Sequence, residues 1–191
     1  SFYVYQQVYD KEGRPMEGVY VDRDENGVIN ADDKYFFHKP AADFTMGLNT
    51  TLNYKNWTLA ASGHGSLGNY IYNNVASDGE MLADLWTNSF TSNRLESALW
   101  SNFNQACYLS DYYIKDASFF KVDNVTLGYT FPKLFKSDKL DRALGLNIYA
   151  TVQNVATFTK YEGLDPEVFS GIDNNLYPRP RTYILGVKFN F

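Results

Sequence analysis

Five stretches of this chain alternate apolar and polar residues with a period of two. In the last of them, Arg181 to Phe191, the residues Tyr183, Leu185, Val187, Phe189 and Phe191 share one face. Thr182, Gly186, Lys188 and Asn190 share the other, and Ile184 is the one misfit. Successive side chains point to opposite sides of a strand, so the pattern predicts a ribbon with one apolar and one polar face. A half-buried soluble sheet produces it. So does a strand of a membrane barrel, about 9–11 residues long, with lipid on one side, water on the other and aromatics at the interfaces. Length, alternation and the terminal aromatic fit the second description.

The same period recurs upstream. Phe44 to Tyr54 sets Phe44, Met46, Leu48, Leu52 and Tyr54, with Thr50 among them, against Thr45, Gly47, Asn49, Thr51 and Asn53. Tyr54-Lys-Asn-Trp57 reads as a tight reversal, and Trp57 to Tyr70 alternates again, with His64 on the polar side. Ser118 to Phe131 slips in phase between Val122 and Val125, which predicts a bulge near Asp123-Asn124. Pro132 is expected to end that strand. Gly145 to Val155 is the remaining alternating stretch. A short strand is expected at Phe2–Tyr9 and a short helix at Glu80–Trp86. Connections at 10–43, 72–117 and 156–180 are long, whereas Tyr54–Trp57 and Lys133–Arg142 are short. Long and short alternate, so a meander would carry both short ones at one end, as in outer-membrane barrels with short periplasmic turns and long extracellular loops. Five strands cannot close a channel-forming barrel, and open edges are not viable in hydrocarbon, so other polypeptide must complete the ring.

Composition sharpens this picture. Aromatic residues make up 17% of the chain, with 16 Tyr and 14 Phe, which suits the aromatic girdles of a barrel, although a lectin-like β-sandwich would also be rich in Tyr. Mean hydropathy is −0.39. No apolar run approaches the roughly 18 residues of a membrane helix, which excludes a helical membrane protein but not a barrel. A formal net charge of −5 without any basic run argues against nucleic acid as a partner. The single cysteine, Cys107, cannot form an internal disulfide and reads as a small buried apolar residue. The chain begins at Ser1 with neither an initiator Met nor a signal-peptide pattern, so it reads as a processed product or a piece of something longer.

One stretch has the spacing of a calcium loop. Such loops want oxygen ligands at positions 1, 3 and 5, a backbone carbonyl at 7, a water-mediated ligand at 9 and a carboxylate at 12, with Gly at 6 for the turn. Here these are Asp22, Asp24, Asn26, the Val28 carbonyl, Asn30 and Asp33, with Gly27 at the turn. Asp33 is shorter than the usual Glu, and Asp32 is a possible substitute. The same spacing also describes a solvated acidic turn with an Asn-Gly corner. No flanking helices are predicted, so Ca2+ would sit in a loop site rather than a paired EF-hand.

Several motifs, in order along the chain, carry a family resemblance. They are Phe44-Thr-Met-Gly47, Gly68-Asn-Tyr-Ile-Tyr72, Val122-Asp-Asn-Val-Thr-Leu-Gly-Tyr-Thr-Phe-Pro132, Val152-Gln-Asn154, Tyr161-Glu-Gly-Leu-Asp-Pro-Glu167 and Asn174-Asn-Leu-Tyr-Pro-Arg-Pro-Arg-Thr-Tyr183. Together they resemble the C-terminal region of the SusC/RagA family, TonB-linked outer-membrane transporters of Bacteroidetes, from Phe2 to Phe191. The resemblance implies an all-β fold: residues 1–191 would be the C-terminal strands of a transmembrane antiparallel β-barrel of about 22 strands. Extracellular loops would lie at about 10–43, 72–117 and 156–180, and the family's plug domain is absent from this chain. The implied partners are a SusD-like surface lipoprotein, the remaining barrel and plug segments, TonB acting through the missing N-terminal part, outer-membrane lipid, and an oligosaccharide or peptide substrate. The implied location is the outer membrane of a Gram-negative, Bacteroidetes-type cell. Gly186-Val-Lys-Phe-Asn-Phe191 also resembles the signal read by the barrel-assembly machinery, with Ile184 in place of the usual polar residue.

The expected function is a share in nutrient import, without enzymatic activity. No Gly-rich phosphate loop, nucleophile elbow or metal-hydrolase motif is present. His38, His64 and Cys107 are isolated in sequence, which disfavours zinc. Asp165 and Glu167 read as part of a Pro-bounded loop. Two other classes stay open on the sequence alone: a soluble calcium-dependent carbohydrate-binding β domain, and an adhesin-like barrel without energy coupling.

Overall fold

The computed structural model describes residues 1–83, 93–136, 143–174 and 177–190. Its strands are β1 (Phe2–Val4), β2 (Gln7–Tyr9), β3 (Pro15–Tyr20), β4 (Tyr35–Phe37), β5 (Phe44–Tyr54), β6 (Trp57–Leu67), β7 (Tyr70–Asn73), β8 (Ile114–Asp116), β9 (Phe119–Lys136), β10 (Ala143–Thr159), β11 (Ile172–Asp173) and β12 (Thr182–Asn190). Two short helices, α1 (Asn74–Gly79) and α2 (Ala98–Ser101), lie between β7 and β8. The chain divides into two units. One is Phe44–Leu67, Phe119–Thr159 and Pro178–Phe191, and the other is Ser1–Asp43, Gly68–Ser118 and Lys160–Tyr177.

The first unit is a single antiparallel sheet in the order β12-β10-β9-β6-β5. These are the five alternating stretches. The sheet is open, since β5 and β12 each pair on one side only among the described residues. By register, Phe44 faces Leu67, Ser66 faces Phe119 and Phe119 faces Thr159 at one end, while Tyr54 faces Trp57 and Lys136 faces Ala143 at the other. The short connections therefore share one end of the sheet and the long ones leave from the opposite end. The expected bulge is present. Ser62 pairs Asn124 and Gly63 pairs Val122, so Asp123 is the extra residue on β9. On the other side Asn154 and Val155 of β10 oppose that same residue, and Asn154 takes φ +53°.

Several boundaries differ from the sequence reading. β9 continues through Pro132 to Lys136. Pro132 has no N–H for a ladder, but it lies beyond the Trp57–Tyr129 pair that ends β6 and inside a register shift against β10, so no ladder bond is lost there. β6 stops at Leu67 because Gly68 turns the chain at φ +78°. A helix that the sequence reading did not expect forms over Asn74–Gly79, where the Asn73 side chain caps it by accepting from the Ala76 N–H at 2.9 Å, and within the helix expected at Glu80–Trp86 the described Leu82 and Ala83 lie in a 3-10 turn. Glu80 is the C-cap of the Asn74–Gly79 helix, and residues 84–86 of that expectation lie outside the described residues, as does Phe191.

The second unit gathers the long connections into ordered structure rather than plain loops. It holds three small sheets, β1-β4, β2-β3 and β11-β7-β8. Its core is aromatic: Val4, Tyr72, Ala76, Phe103, Cys107, Tyr113 and Ile114 are buried, ringed by Phe2, Tyr35, Phe37, Tyr70 and Tyr112. Cys107 is the buried residue expected, and burial pushes its thiol pKa up. A network of polar side chains enters this core in bonded pairs. Buried Ser110 donates to Gln7 Oε1 at 2.8 Å, and Gln7 Nε2 donates to the Met16 carbonyl at 2.7 Å. Asp111 accepts from the Gln7 N–H at 2.9 Å and from the Tyr35 hydroxyl at 2.7 Å. A buried amide left unpaired costs about 1–3 kcal/mol, so this network fixes how β1 to β4 meet the segment around residue 110.

Candidate functional site

The Asp22–Asp33 loop leaves β3 and ends in a single 3-10 turn, Ala31–Asp33, so it has no flanking α-helices. Gly27 sits at φ +80°, the left-handed conformation the turn requires. Asp22 accepts from the Gly27 N–H at 2.7 Å and from the Asn26 N–H at 3.3 Å. Asp24 accepts from the Asn26 side chain at 2.7 Å. Asp33 is fully buried and accepts from the Arg23 N–H at 2.7 Å and the Asn30 N–H at 2.8 Å. Those backbone bonds, from Asn30 and then Arg23, hold its carboxyl below the usual carboxylate range. Carboxylate oxygens of Asp22, Asp24 and Asp33 all lie within 4.8 Å of one another.

Three of the six expected ligands, the carboxylates, are therefore brought together. The others take part in the hydrogen bonds of the turn. Asn26 Oδ1 accepts from the Val28 N–H at 2.8 Å. Asn30 is a helix cap whose Oδ1 accepts from the Asp32 N–H at 2.7 Å, while Asp33 returns the bond in a capping box. Asp32 is exposed and does not belong to the carboxylate cluster. Carboxylates this close repel one another when ionised.

The sheet presents the second feature. Residues paired across strands share a face, so the register assembles rows. Leu185, Ala150, Leu127, Leu59 and Leu52 form one row, and Val187, Ile148, Tyr129, Trp57 and Tyr54 the next. Beyond the bulge the face continues through Val122, Phe120, Met46 and Phe158, because the extra residue at Asp123 restores the phase that the sequence lost. Among the described residues nothing in the unit covers this apolar face: Leu185 is 85% exposed, Leu52 61% and Leu127 47%. Phe120 lies across Gly63 and Gly65, where a Cβ would come within 3.2 Å of its ring.

The opposite face is polar and hydrogen-bonded across strands. Thr126 and Thr151 share a bond of 2.7 Å, and Asn147 Nδ2 donates to Thr130 at 2.8 Å. His64 lies on this face, as expected, with Nδ1 2.8 Å from Asp123 Oδ2, so the bulge residue meets it. Tyr149 lies across Gly186 on the neighbouring strand. Arg181 secures the bulge from the other side. Its Nη2 donates to the Val155 carbonyl at 2.7 Å, and Asn154 Nδ2 donates to the Pro180 carbonyl at 2.7 Å. The Pro-Arg-Pro-Arg run thus works as a brace for β10, and Asp165 caps its own turn by accepting from the Glu167 N–H at 2.9 Å.

A third feature was not singled out in the sequence. A cavity of 1210 Å³ in the second unit is lined by Glu80, Trp100, Tyr112, Lys115 and Asp173, among others. Only the placement of Glu80 at a helix end gave any signal of it, and that placement was read as apolar periodicity.

No family model matches the chain. Curated relatives do. The chain is 46% identical over 194 residues to the TonB-dependent receptor SusC of Bacteroides thetaiotaomicron, covering 100% of this chain and 19% of that receptor. It is 29% identical over 199 residues to TonB-dependent receptor P3 of Formosa agariphila, covering 93% of this chain and 19% of that protein. Its fold matches that of the RagAB peptide importer in the closed-closed state with a TM-score of 0.74, at 24% identity, over 100% of this chain and 23% of that one. The chain thus spans about a fifth of the length of the relatives it matches. An open antiparallel sheet with one apolar and one polar face is what a segment of such a barrel contains, and by sequence and fold together the chain belongs to the SusC/RagA family of TonB-dependent receptors.

Proposed function

We propose that this chain is the C-terminal wall of an outer-membrane TonB-dependent active transporter that imports oligosaccharides or peptides together with a SusD-like surface lipoprotein. The observation that carries this reading is the uncovered apolar face, which runs from Phe120 to Val187 with Thr50 among its residues, backed by a polar face built of Thr, Asn and Gly. Lipid would cover the first and the water-filled lumen would meet the second. A soluble carbohydrate-binding domain would have to hide that face, and no element of the sheet unit does so. The remaining strands and the plug would come from the rest of the transporter, close the two sheet edges and supply the contact with TonB. The long connections would lie at the cell surface, where the lipoprotein closes over the barrel.

The acidic loop would bind Ca2+ through Asp22, Asp24 and Asp33 and so lock the β3–β4 connection. A ligand present at 100 times its dissociation constant stabilises the state it binds by about 2.7 kcal/mol. Chelation should then raise the rate of proteolysis within residues 22–33, and added Ca2+ should restore resistance. An unchanged cleavage rate would remove the metal. For transport, uptake of the imported oligomer should stop in cells lacking TonB while diffusion of small solutes continues. A chain that stays folded and monomeric in plain buffer, with its apolar face wet, would overturn the barrel reading.

A further inference from the structure

The apolar face of the sheet is not flat. Along β10 it sets Ala150 between Leu127 of β9 and Leu185 of β12 in one row, and Ile148 between Tyr129 and Val187 in the next. Neighbouring strands lie about 4.8 Å apart, so the two leucines stand roughly 10 Å apart with a single methyl group between them. The result is a groove of 620 Å³, inside the range of about 300–1,000 Å³ usual for small-molecule sites. Leu127, Ala150, Leu185 and Ile148 form its apolar trough, and Trp57, Tyr129 and Phe131 line it toward the end of the sheet that carries the short connections. The three rings brace one another edge to face: the centroids of Trp57 and Tyr129 lie 4.8 Å apart at 70°, and those of Tyr129 and Phe131 4.6 Å apart at 65°.

That end of the sheet is basic. Lys55 lies in the turn between β5 and β6, and Lys133 and Lys136 lie in β9 beyond Phe131, with Lys136 paired to Ala143 at the last register position. The described residues there, 53–58, 129–136, 143–147 and 187–190, include no acid. Residues 137–142 bring Lys139 and Arg142 against Asp138 and Asp141 and leave the balance as it is. The excess is local, because the chain as a whole carries a net charge of −5. Lys55 forms no ion pair among the described residues. Its ammonium lies over the Tyr54 ring, 5.4 Å from the centroid, and Tyr54 pairs with Trp57. Lys188 also lies near this end, but it pairs with Asn147 on the polar face and so stands apart from the groove. An apolar trough that passes under rings and then reaches cations follows the order of a phospholipid from acyl chain through interface to phosphate.

We propose that this groove holds one anionic phospholipid, its acyl chain lying along β10 between Leu127 and Leu185 and its headgroup at the level of Lys55, Lys133 and Lys136. The inference rests on the barrel reading, since it needs a bilayer against this face, and goes beyond it in naming the charge class of the lipid and the place that holds it. A zwitterionic headgroup brings its own ammonium toward three lysines, whereas phosphatidylglycerol presents a phosphate alone. A basic residue beside an anionic lipid surface strengthens attachment by roughly fivefold, so the lysines together should select by charge among lipids with the same chains.

The test reconstitutes the full receptor that carries this chain into phosphatidylcholine vesicles, with dibrominated phosphatidylglycerol or dibrominated phosphatidylcholine mixed in at increasing share. Bromine quenches indole fluorescence on contact, and the difference between the unaltered receptor and Trp57→Phe isolates the signal of Trp57. At low salt the phosphatidylglycerol should bind roughly tenfold or more tightly than the phosphatidylcholine, and high salt should narrow that gap. Lys55→Gln, Lys133→Gln and Lys136→Gln should each cut the preference by up to about fivefold and leave quenching by the zwitterionic lipid unchanged. Ala150→Leu fills the trough and should reduce quenching by both lipids. Should a variant fail to fold, the comparison of the two lipids on the unaltered receptor still decides. Equal quenching by the two lipids, or a preference that survives removal of all three lysines, overturns the inference and leaves the barrel reading standing, because lipid then still meets Trp57. Absence of quenching by either lipid removes both.

Discussion

Leu127→Arg puts the two-faced sheet to its strongest test. Leu127 lies in the row Leu185, Ala150, Leu127, Leu59 and Leu52 on the apolar face. From the Phe120 row to the Phe131 row that face spans ten residues along the strands, or about 34 Å at about 3.4 Å each. Tilted by roughly 45°, this length covers about 24 Å of thickness, close to the apolar band of about 25 Å on outer-membrane barrels. Aromatics mark both borders, Phe120 and Phe158 at one and Trp57, Tyr129 and Phe131 at the other, and Leu127 falls between them. An arginine on the lipid face there should cost about 2–4 kcal/mol, or roughly a 30- to 1,000-fold loss in the folding equilibrium. On a half-exposed face in water the same change would stay within about 0.5 kcal/mol. Gln153→Arg on the polar face is the control, since Gln153 pairs with Thr182 and Asn124 and is exposed. The assay is urea unfolding of the receptor in lipid vesicles, read by its heat-modifiable migration on gels. If Leu127→Arg proves as harmless as Gln153→Arg, the face does not meet lipid and the reasoning fails.

Three further outcomes follow from the geometry. Gly186→Ala should destabilise by about 1–3 kcal/mol, because the new methyl occupies the space of the Tyr149 ring, and Tyr149→Ala in the same chain should recover most of the loss in a double-mutant unfolding cycle. Arg181→Ala removes the donor to the Val155 carbonyl and should cost about 1 kcal/mol; Arg181→Lys should recover little, since one ammonium cannot reproduce the guanidinium fork, and hydrogen exchange around Asn154 would report both. The Asp33 carboxyl has a folded pKa below its unfolded one, so its bonds stabilise the loop above the ordinary carboxylate range and are lost as pH falls through the lowered folded value. Exchange of the Arg23 and Asn30 amides should therefore stay protected down through the pH at which exposed carboxylates titrate and open only below it, whereas Asp33→Asn should already be open at neutral pH; simultaneous opening with exposed acids would refute the assignment.

The sheet was readable in the sequence because each strand announces itself. Alternation is a property of neighbouring residues, and the phase slip between Val122 and Val125 is enough to place the bulge at Asp123. What the sequence hid is what long-range contacts decide. Pro132 reads as a stop until the end of β6 shows that its missing N–H would have had no partner. Glu80 reads as the first residue of a helix, and nothing apolar in Asn74–Gly79 announces that the Asn73 cap starts another helix there and leaves the acid at its end. The buried network of Gln7, Ser110 and Asp111 joins residues more than a hundred positions apart, with no local period to reveal it. The acidic loop falls between these cases. Its spacing correctly forecast the convergence of Asp22, Asp24 and Asp33, because a Gly-centred turn is local chemistry. That spacing could not show that Asn30 would also cap the turn that follows, because the capping box draws on the same side chain. If this loop takes Ca2+, a ligand position that also caps its own backbone should make binding weak. It would suit a site exposed to the millimolar calcium of an extracellular medium, and affinity should then rise when Asp33→Glu lengthens the final carboxylate, provided the capping box survives.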